Sequence, residues 1–161
     1  MSFFPEDARL FYSSDKGGNE QNHLYVLEPS GNSIDLTPGE KVKALFAGWD
    51  QTNESFYVTT NERDPKAFDL YQYQTDDYSR ELIFQNDGGW IIAGGDRGRY
   101  LALVKVHSNV DSDIYLVDLQ SNDPTPKHVT ANVGNVSHGV YTFTPDRQHM
   151  IYSTNEFGEF V

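Results

Sequence analysis

The sequence predicts an all-β chain assembled from a repeated unit of short antiparallel strands. Three observations predict it. No segment keeps apolar residues at i, i+3, i+4 and i+7 through three turns, so amphipathic helices are not expected. Short runs rich in aromatic and β-branched residues recur instead, among them Leu10-Phe11-Tyr12-Ser13, Ser55-Phe56-Tyr57-Val58-Thr59 and Ile114-Tyr115-Leu116-Val117, bounded by Gly, Pro, Asn, Asp and Ser. These runs also return at a fixed spacing.

The spacing is carried by four independent series. Tyr12, Tyr57, Leu103 and Tyr152 lie at intervals of 45, 46 and 49 residues. Leu24-Tyr25, Leu70-Tyr71 and Ile114-Tyr115 are 46 and 44 apart. Asp35-Leu36-Thr37, Leu82-Ile83-Phe84 and His128-Val129-Thr130 close successive units. Phe46-Ala47-Gly48-Trp49-Asp50, Ile92-Ala93-Gly94-Gly95-Asp96 and Thr142-Phe143-Thr144-Pro145-Asp146 open the next. Four strands in roughly 46 residues is the size of a β-propeller blade. Such a sheet cannot cover both of its faces alone, so it stacks on its neighbour and large side chains fill the gap.

Taken in order, the first unit (1–37) holds Phe3-Phe4 of an inner strand and strands at 9–14, 23–28 and 33–36. The second (43–84) holds strands at 43–49, 55–60, 69–74 and 80–84. The third (89–130) holds 89–94, 100–106, 113–119 and 127–130. The fourth (138–161) starts with 138–144 and 149–154 and is incomplete. The expectation is therefore a β-propeller fragment of about three and a half blades, with its ends inside blades. Asp50, Asp96 and Asp146 each follow an opening strand, where an Asp carboxylate can accept from nearby amides and hold the turn into the second strand.

Composition narrows the function classes. The 161 residues carry a net charge of −12, which disfavours nucleic acid as a partner, since phosphate binding wants clustered Lys and Arg. Aromatics make up 14% of the chain, against disorder. With no cysteine there is no disulfide or thiolate chemistry. No apolar run approaches membrane-spanning length, no basic region followed by an apolar stretch opens the chain, and neither a membrane partner nor a cofactor is expected.

The repeat also carries a resemblance. Phe4-Pro5-Glu6-Asp7-Ala8-Arg9-Leu10-Phe11-Tyr12-Ser13-Ser14-Asp15, then His23-Leu24-Tyr25-Val26 and Leu36-Thr37, resembles the repeat of TolB-like propellers and of the N-terminal propeller of prolyl oligopeptidase family serine peptidases. Ser55 to Pro65 running on to Phe68-Asp69-Leu70-Tyr71, and Tyr100 to Lys105 running on to Ser112-Asp113-Ile114-Tyr115, are more similar to bacterial members of the peptidase family. The resemblance implies a propeller over an α/β-hydrolase domain, restricting which peptides reach the catalytic Ser, Asp and His of that other domain. It implies no catalytic residue in this chain. A hydrolase nucleophile sits on a G-x-S-x-G elbow, and the nearest string, Gly31-Asn32-Ser33-Ile34-Asp35, lacks the second Gly. The implied partners are the hydrolase domain and a peptide substrate. The alternative is a TolB-like propeller serving as a non-enzymatic protein-binding scaffold. Incomplete blades also expose apolar faces and strand edges, so self-association is expected.

Few side chains stand out as chemistry. His23, His107, His128, His138 and His149 are scattered and read as strand or turn histidines. Asp76-Asp77 and Asp111-Ser112-Asp113 read as solvated hairpin acids, since calcium needs more oxygen ligands than either supplies. Trp49 and Trp90 read first as packing between blades and second as channel-facing contacts. Asn61-Glu62-Arg63-Asp64, a charged hairpin loop, is the first candidate for contact with a substrate or partner.

Overall fold

Strands form where these aromatic and β-branched runs can present one side to a neighbouring sheet, and they break at the Gly, Asp and Asn turns. The computed structural model describes residues 1–132 and 134–158; the last three residues of the fourth predicted unit lie outside the described residues. No helix occurs among the described residues. The first sheet is β1 (Ser2–Phe3), β2 (Leu10–Ser14), β3 (His23–Leu27) and β4 (Ser33–Asp35), hydrogen-bonded in that order. The second is β5 (Ala44–Trp49), β6 (Ser55–Asp64), β7 (Ala67–Gln74) and β8 (Arg80–Phe84). The third is β9 (Ile91–Gly95), β10 (Tyr100–Ser108), β11 (Asp111–Asp118) and β12 (Lys127–His128). β13 (His138–Phe143) and β14 (Met150–Thr154) form a two-stranded sheet. Every pairing is antiparallel. The all-β expectation holds, in four-stranded meanders.

The chain divides into two compact units, Met1–Asn86 and Asp87–Val161. In the first, two sheets pack through aromatic rings. Phe4 and Phe11 meet Trp49 with ring centroids 5.0 and 5.4 Å apart, and Phe11 meets Phe46 at 4.8 Å and Phe56 at 4.7 Å. Phe56 stacks on Tyr73 at 5.3 Å, and the Tyr73 hydroxyl donates to the Leu36 carbonyl across the layer (3.2 Å). Burying each ring contributes about 1.5–3 kcal/mol, and each ring pair about 0.5–1.5 kcal/mol more. Arg9 fastens the edge of this layer: its guanidinium donates to the Thr75 carbonyl and the Tyr78 hydroxyl, both at 2.7 Å, while lying over Phe4.

In the second unit the buried layer is aliphatic, from Leu101, Ala102, Leu103, Val104, Ile114, Val117 and Val136. Ser112 fixes β13 to it. The Ser112 hydroxyl accepts from the His138 amide (2.8 Å) and donates to the His138 carbonyl (2.9 Å). The His138 ring is buried with neither nitrogen hydrogen-bonded.

Repeated backbone devices explain where strands end. The Thr37 hydroxyl accepts from the Leu24 amide and the Thr130 hydroxyl from the Ile114 amide. A side chain thus takes over the outer ladder, and the fourth strands stop earlier than their sequence pattern suggests, at Asp35 and His128. Three of the four first strands are bulged against their second strands: β5 between Phe46 and Gly48, β9 between Ile92 and Gly94 opposite Leu103 and Ala102, and β13 between Val140 and Thr142, while β1 pairs with β2 in regular register. Gly48 (φ 130°) and Gly94 (φ 151°) supply the backbone conformation for two of these bulges. The opening turns are held as the sequence predicts: one Asp96 carboxylate oxygen accepts from the amides of Gly98, Arg99 and Tyr100 at 3.2, 2.7 and 2.7 Å. Asp50 accepts from the Ser55 amide and Asp146 from the Gln148 amide in the same way.

Candidate functional site

Asn61, Glu62, Arg63 and Asp64 are not a loop. β6 runs through them to Asp64, which pairs with Ala67, because the hairpin is only Pro65-Lys66 wide and the Asp64 carboxylate accepts from the Lys66 amide (2.9 Å). Each of the four side chains has a partner within the unit. Asn61 is buried: its Oδ1 accepts from the Lys43 amide (2.6 Å), its amide donates to the Lys43 carbonyl (3.2 Å) and its Nδ2 donates to the Pro65 carbonyl (3.4 Å). Asn155 does the same for Ser137 in the second unit, accepting at 2.8 Å and donating at 3.3 Å. Asn61 is thus a fastener of first strand to second. Glu62 accepts from Arg80 (2.9 Å), which also donates to the Tyr73 hydroxyl (2.9 Å). Arg63 makes a two-pronged bond to Asp69, at 2.6 and 2.8 Å, and reaches the Asn86 carbonyl at 3.4 Å.

Asp69 is the anchor of this group. Its side chain is wholly buried. Burial alone would raise its pKa, but the Arg63 guanidinium and the Asn86 amide, which donates at 2.7 Å, hold the carboxyl below its ordinary range. The strand end is a charge-compensated corner whose rim carries the Arg80 guanidinium, a donor, and the Glu62 carboxylate, an acceptor, paired with each other.

The equivalent corner recurs in the other sheets, two residues before the shared Tyr of each third strand. There stand His23 before Tyr25, Asp69 before Tyr71 and Asp113 before Tyr115. In the first sheet His23 Nδ1 meets Asp35 (2.8 Å), and Asp35 lies opposite Tyr25. In the third sheet the polarity is exchanged: Asp113 meets His128 (3.1 Å), and His128 lies opposite Tyr115. His107 Nε2 meets the other Asp113 oxygen at 3.0 Å. Asp113 is therefore not a solvated hairpin acid. Its partial burial opposes ionisation, and the bonds from His107 and His128 outweigh that and hold its pKa below the usual carboxylate value. Ser112 is buried as well, whereas Asp76 and Asp77 are exposed turn acids. The signal for this corner lay in the aligned triplets His-Leu-Tyr, Asp-Leu-Tyr and Asp-Ile-Tyr.

His23 also lines a cleft of about 480 Å³, with Asp35, Lys16 and Glu40. Its Nε2 donates to the Gly39 carbonyl (2.8 Å), so the nitrogen a catalytic histidine would turn to a hydroxyl is already engaged. This pair braces the loop after β4.

The tryptophans separate. Trp49 sits in the aromatic layer of the first unit. Trp90 packs edge-on against Tyr115 (4.5 Å), which stacks on His128 (4.6 Å), and the Lys105 ammonium lies over the indole while donating to the Gly88 carbonyl. A Cβ on Gly88 would stand 2.0 Å from the indole nitrogen, so a glycine is needed there. Trp90 thus joins Lys105, Tyr115, His128, Asp113 and His107 in one continuous layer, 26 residues or more from the hairpin candidates in sequence and in the other unit.

Comparison with known proteins agrees with this architecture. No family model matches the chain. Dipeptidyl aminopeptidase BIII of Pseudoxanthomonas mexicana is 35% identical over 80 residues, covering 48% of this chain and 12% of that protein. Among solved structures, a prolyl endopeptidase superposes with a TM-score of 0.65 at 19% identity, over 91% of this chain and 21% of the other. TolB from Acinetobacter baumannii gives 0.55 at 16%, over 95% and 39%. TolB from Agrobacterium tumefaciens gives 0.56 at 16%, over 99% and 62%. The repeat, the four-stranded meanders and these likenesses together make the chain a run of β-propeller blades of the type shared by prolyl oligopeptidase family peptidases and TolB.

Proposed function

We propose that the chain is part of the propeller of a prolyl oligopeptidase family peptidase, where it restricts access of peptides to a hydrolase domain and docks that domain. The observation that carries this reading is the 35% identity to a dipeptidyl aminopeptidase, a closer sequence relation than either TolB shows. Its side-chain chemistry supports a wall in preference to a reaction centre: the charged groups of the Asn61–Asp64 strand end are bound to one another and to Asp69, Arg80 and backbone. A filter must hold its shape while substrates pass, and internally satisfied polar corners serve that. Contact with peptide or with the hydrolase domain would fall to the rim groups Glu62 and Arg80, with Trp49 stiffening the aromatic layer of the same unit and Trp90 that of the second unit. The competing reading is a TolB-like binding scaffold. The reading frame of the gene decides between them. Continuation through further blades into a segment holding a G-x-S-x-G elbow supports the peptidase reading; continuation or termination in blades alone supports the scaffold.

A further inference from the structure

The segment Asn86-Asp87-Gly88-Gly89, between β8 and β9, belongs to no strand and contains the boundary between the two compact units. It is fastened on either side of Asp87. The Asn86 amide donates to Asp69 (2.7 Å), its Nδ2 donates to the Phe68 carbonyl (3.1 Å) and its carbonyl accepts from Arg63 (3.4 Å). Beyond Asp87, the Gly88 carbonyl accepts from the Lys105 ammonium that lies over Trp90. Asp87 itself is exposed. Packing dictates the residue that follows it. A Cβ at position 88 would stand 2.0 Å from the indole nitrogen of Trp90 and 2.7 Å from two of its carbons, so the indole leaves room for glycine only. Trp90 thereby imposes an Asp-Gly pair at the joint, and the sequence holds no second Asp-Gly pair and no Asn-Gly pair. Such a pair has its own chemistry. A backbone nitrogen can attack the side-chain carbonyl of the aspartate before it, and the main steric obstacle is a Cβ on the attacking residue, which glycine lacks. No hydrogen bond from the Gly88 amide is formed among the described residues.

We infer that Asp87 is a site of spontaneous aspartyl isomerisation, which lengthens the main chain at the joint between the units. The Gly88 nitrogen bonds to Asp87 Cγ, and one carboxyl oxygen leaves as water with the amide proton and the acid proton. The product is a cyclic succinimide. Water then opens the ring at the main-chain carbonyl, so that the chain runs on through Cγ and the former main-chain carbonyl becomes the free carboxylate. One water leaves and one returns, so no oxidant or other co-reactant is required and the net charge is restored. The isoaspartate adds one C–C bond, about 1.5 Å, to the main chain. That length enters between Asn86, held by three hydrogen bonds, and Gly88, held by one. The weaker side gives way: Lys105 releases the Gly88 carbonyl while Asn86 keeps its place on Asp69.

The test is to age the folded 161-residue chain in warm, mildly acidic buffer, digest it, and separate aspartyl from isoaspartyl peptides by chromatography and mass spectrometry. A synthetic peptide spanning 85–91 is aged beside it. Isoaspartate is expected at Asp87 at a rate at least tenfold above that of any other aspartate in the chain, and close to the rate in the free peptide. The Asp87→Glu variant, which would have to close a six-membered ring, is expected to form none there; should it fail to fold, the comparison of chain with peptide decides alone. A folded chain in which Asp87 isomerises no faster than the other aspartates, or at under a tenth of the peptide's rate, overturns the inference. Amide exchange of the isomerised fraction, resolved by ion exchange, then reads the consequence. Loss of protection confined to 88–90 supports release on the Lys105 side, and equal loss at Asn86 contradicts it.

Discussion

The two units use the same backbone fasteners around different fillings. Asn61 and Asn155 tie first strand to second, and Thr37 and Thr130 end the outer ladders. Between the sheets of the first unit lie Phe4, Phe11, Phe46, Trp49, Phe56 and Tyr73; the buried layer of the second unit is aliphatic and holds an unpaired imidazole. The difference teaches that the repeat specifies its strands through hydrogen bonds at fixed positions, while the stability of each layer is set by what fills it.

The largest expected effect is at the aromatic layer. Phe56→Ala should cost about 3–5 kcal/mol and unfold the first unit selectively. Urea titration monitored by amide exchange reads this; equal loss of protection in both units would erase the contrast between them. Next comes the buried pair. Arg63→Ala leaves the Asp69 carboxylate without its cation and should cost about 3 kcal/mol, whereas Arg80→Ala at the exposed rim should cost under about 1 kcal/mol. Comparable midpoints for the two variants would mean Asp69 is not the anchor.

His138→Leu should run the other way. The ring has no hydrogen-bond partner for either nitrogen, so an apolar side chain of similar size should stabilise the second unit by about 1–3 kcal/mol. A destabilised variant would show that the imidazole is satisfied in solution. The smallest effect concerns acid. Asp69 and Asp113 both have depressed pKa values, so their stabilisation is present above the unfolded carboxylate pKa and is lost as pH falls through the folded values. Asp113→Asn should flatten the acid limb of the second unit's stability curve by about 1 kcal/mol while leaving that of the first unit unchanged.

How far the sequence reached follows the range of each interaction. The repeat was legible because its landmarks are residues whose role is local: turn aspartates such as Asp96, glycines such as Gly48 and Gly94, and the strand Leu-Tyr pairs. Asn61 was legible only as a polar residue near a turn, because the backbone it fastens, at Lys43, is 18 residues away. Asp113 looked like one member of an acidic cluster, since the histidines that enclose it come from two other strands. Trp49 and Trp90 look alike in sequence; one stands among the rings of Phe4, Phe11, Phe46 and Phe56 in a buried layer and the other beside Tyr115, a lysine and a glycine, a distinction made only by packing.

The central claim is that these blades shape access and perform no chemistry of their own. Assay of the purified 161-residue chain on chromogenic dipeptidyl and prolyl peptides tests it most directly. The predicted result is hydrolysis indistinguishable from buffer. Turnover that disappears on substitution of a single serine would contradict it.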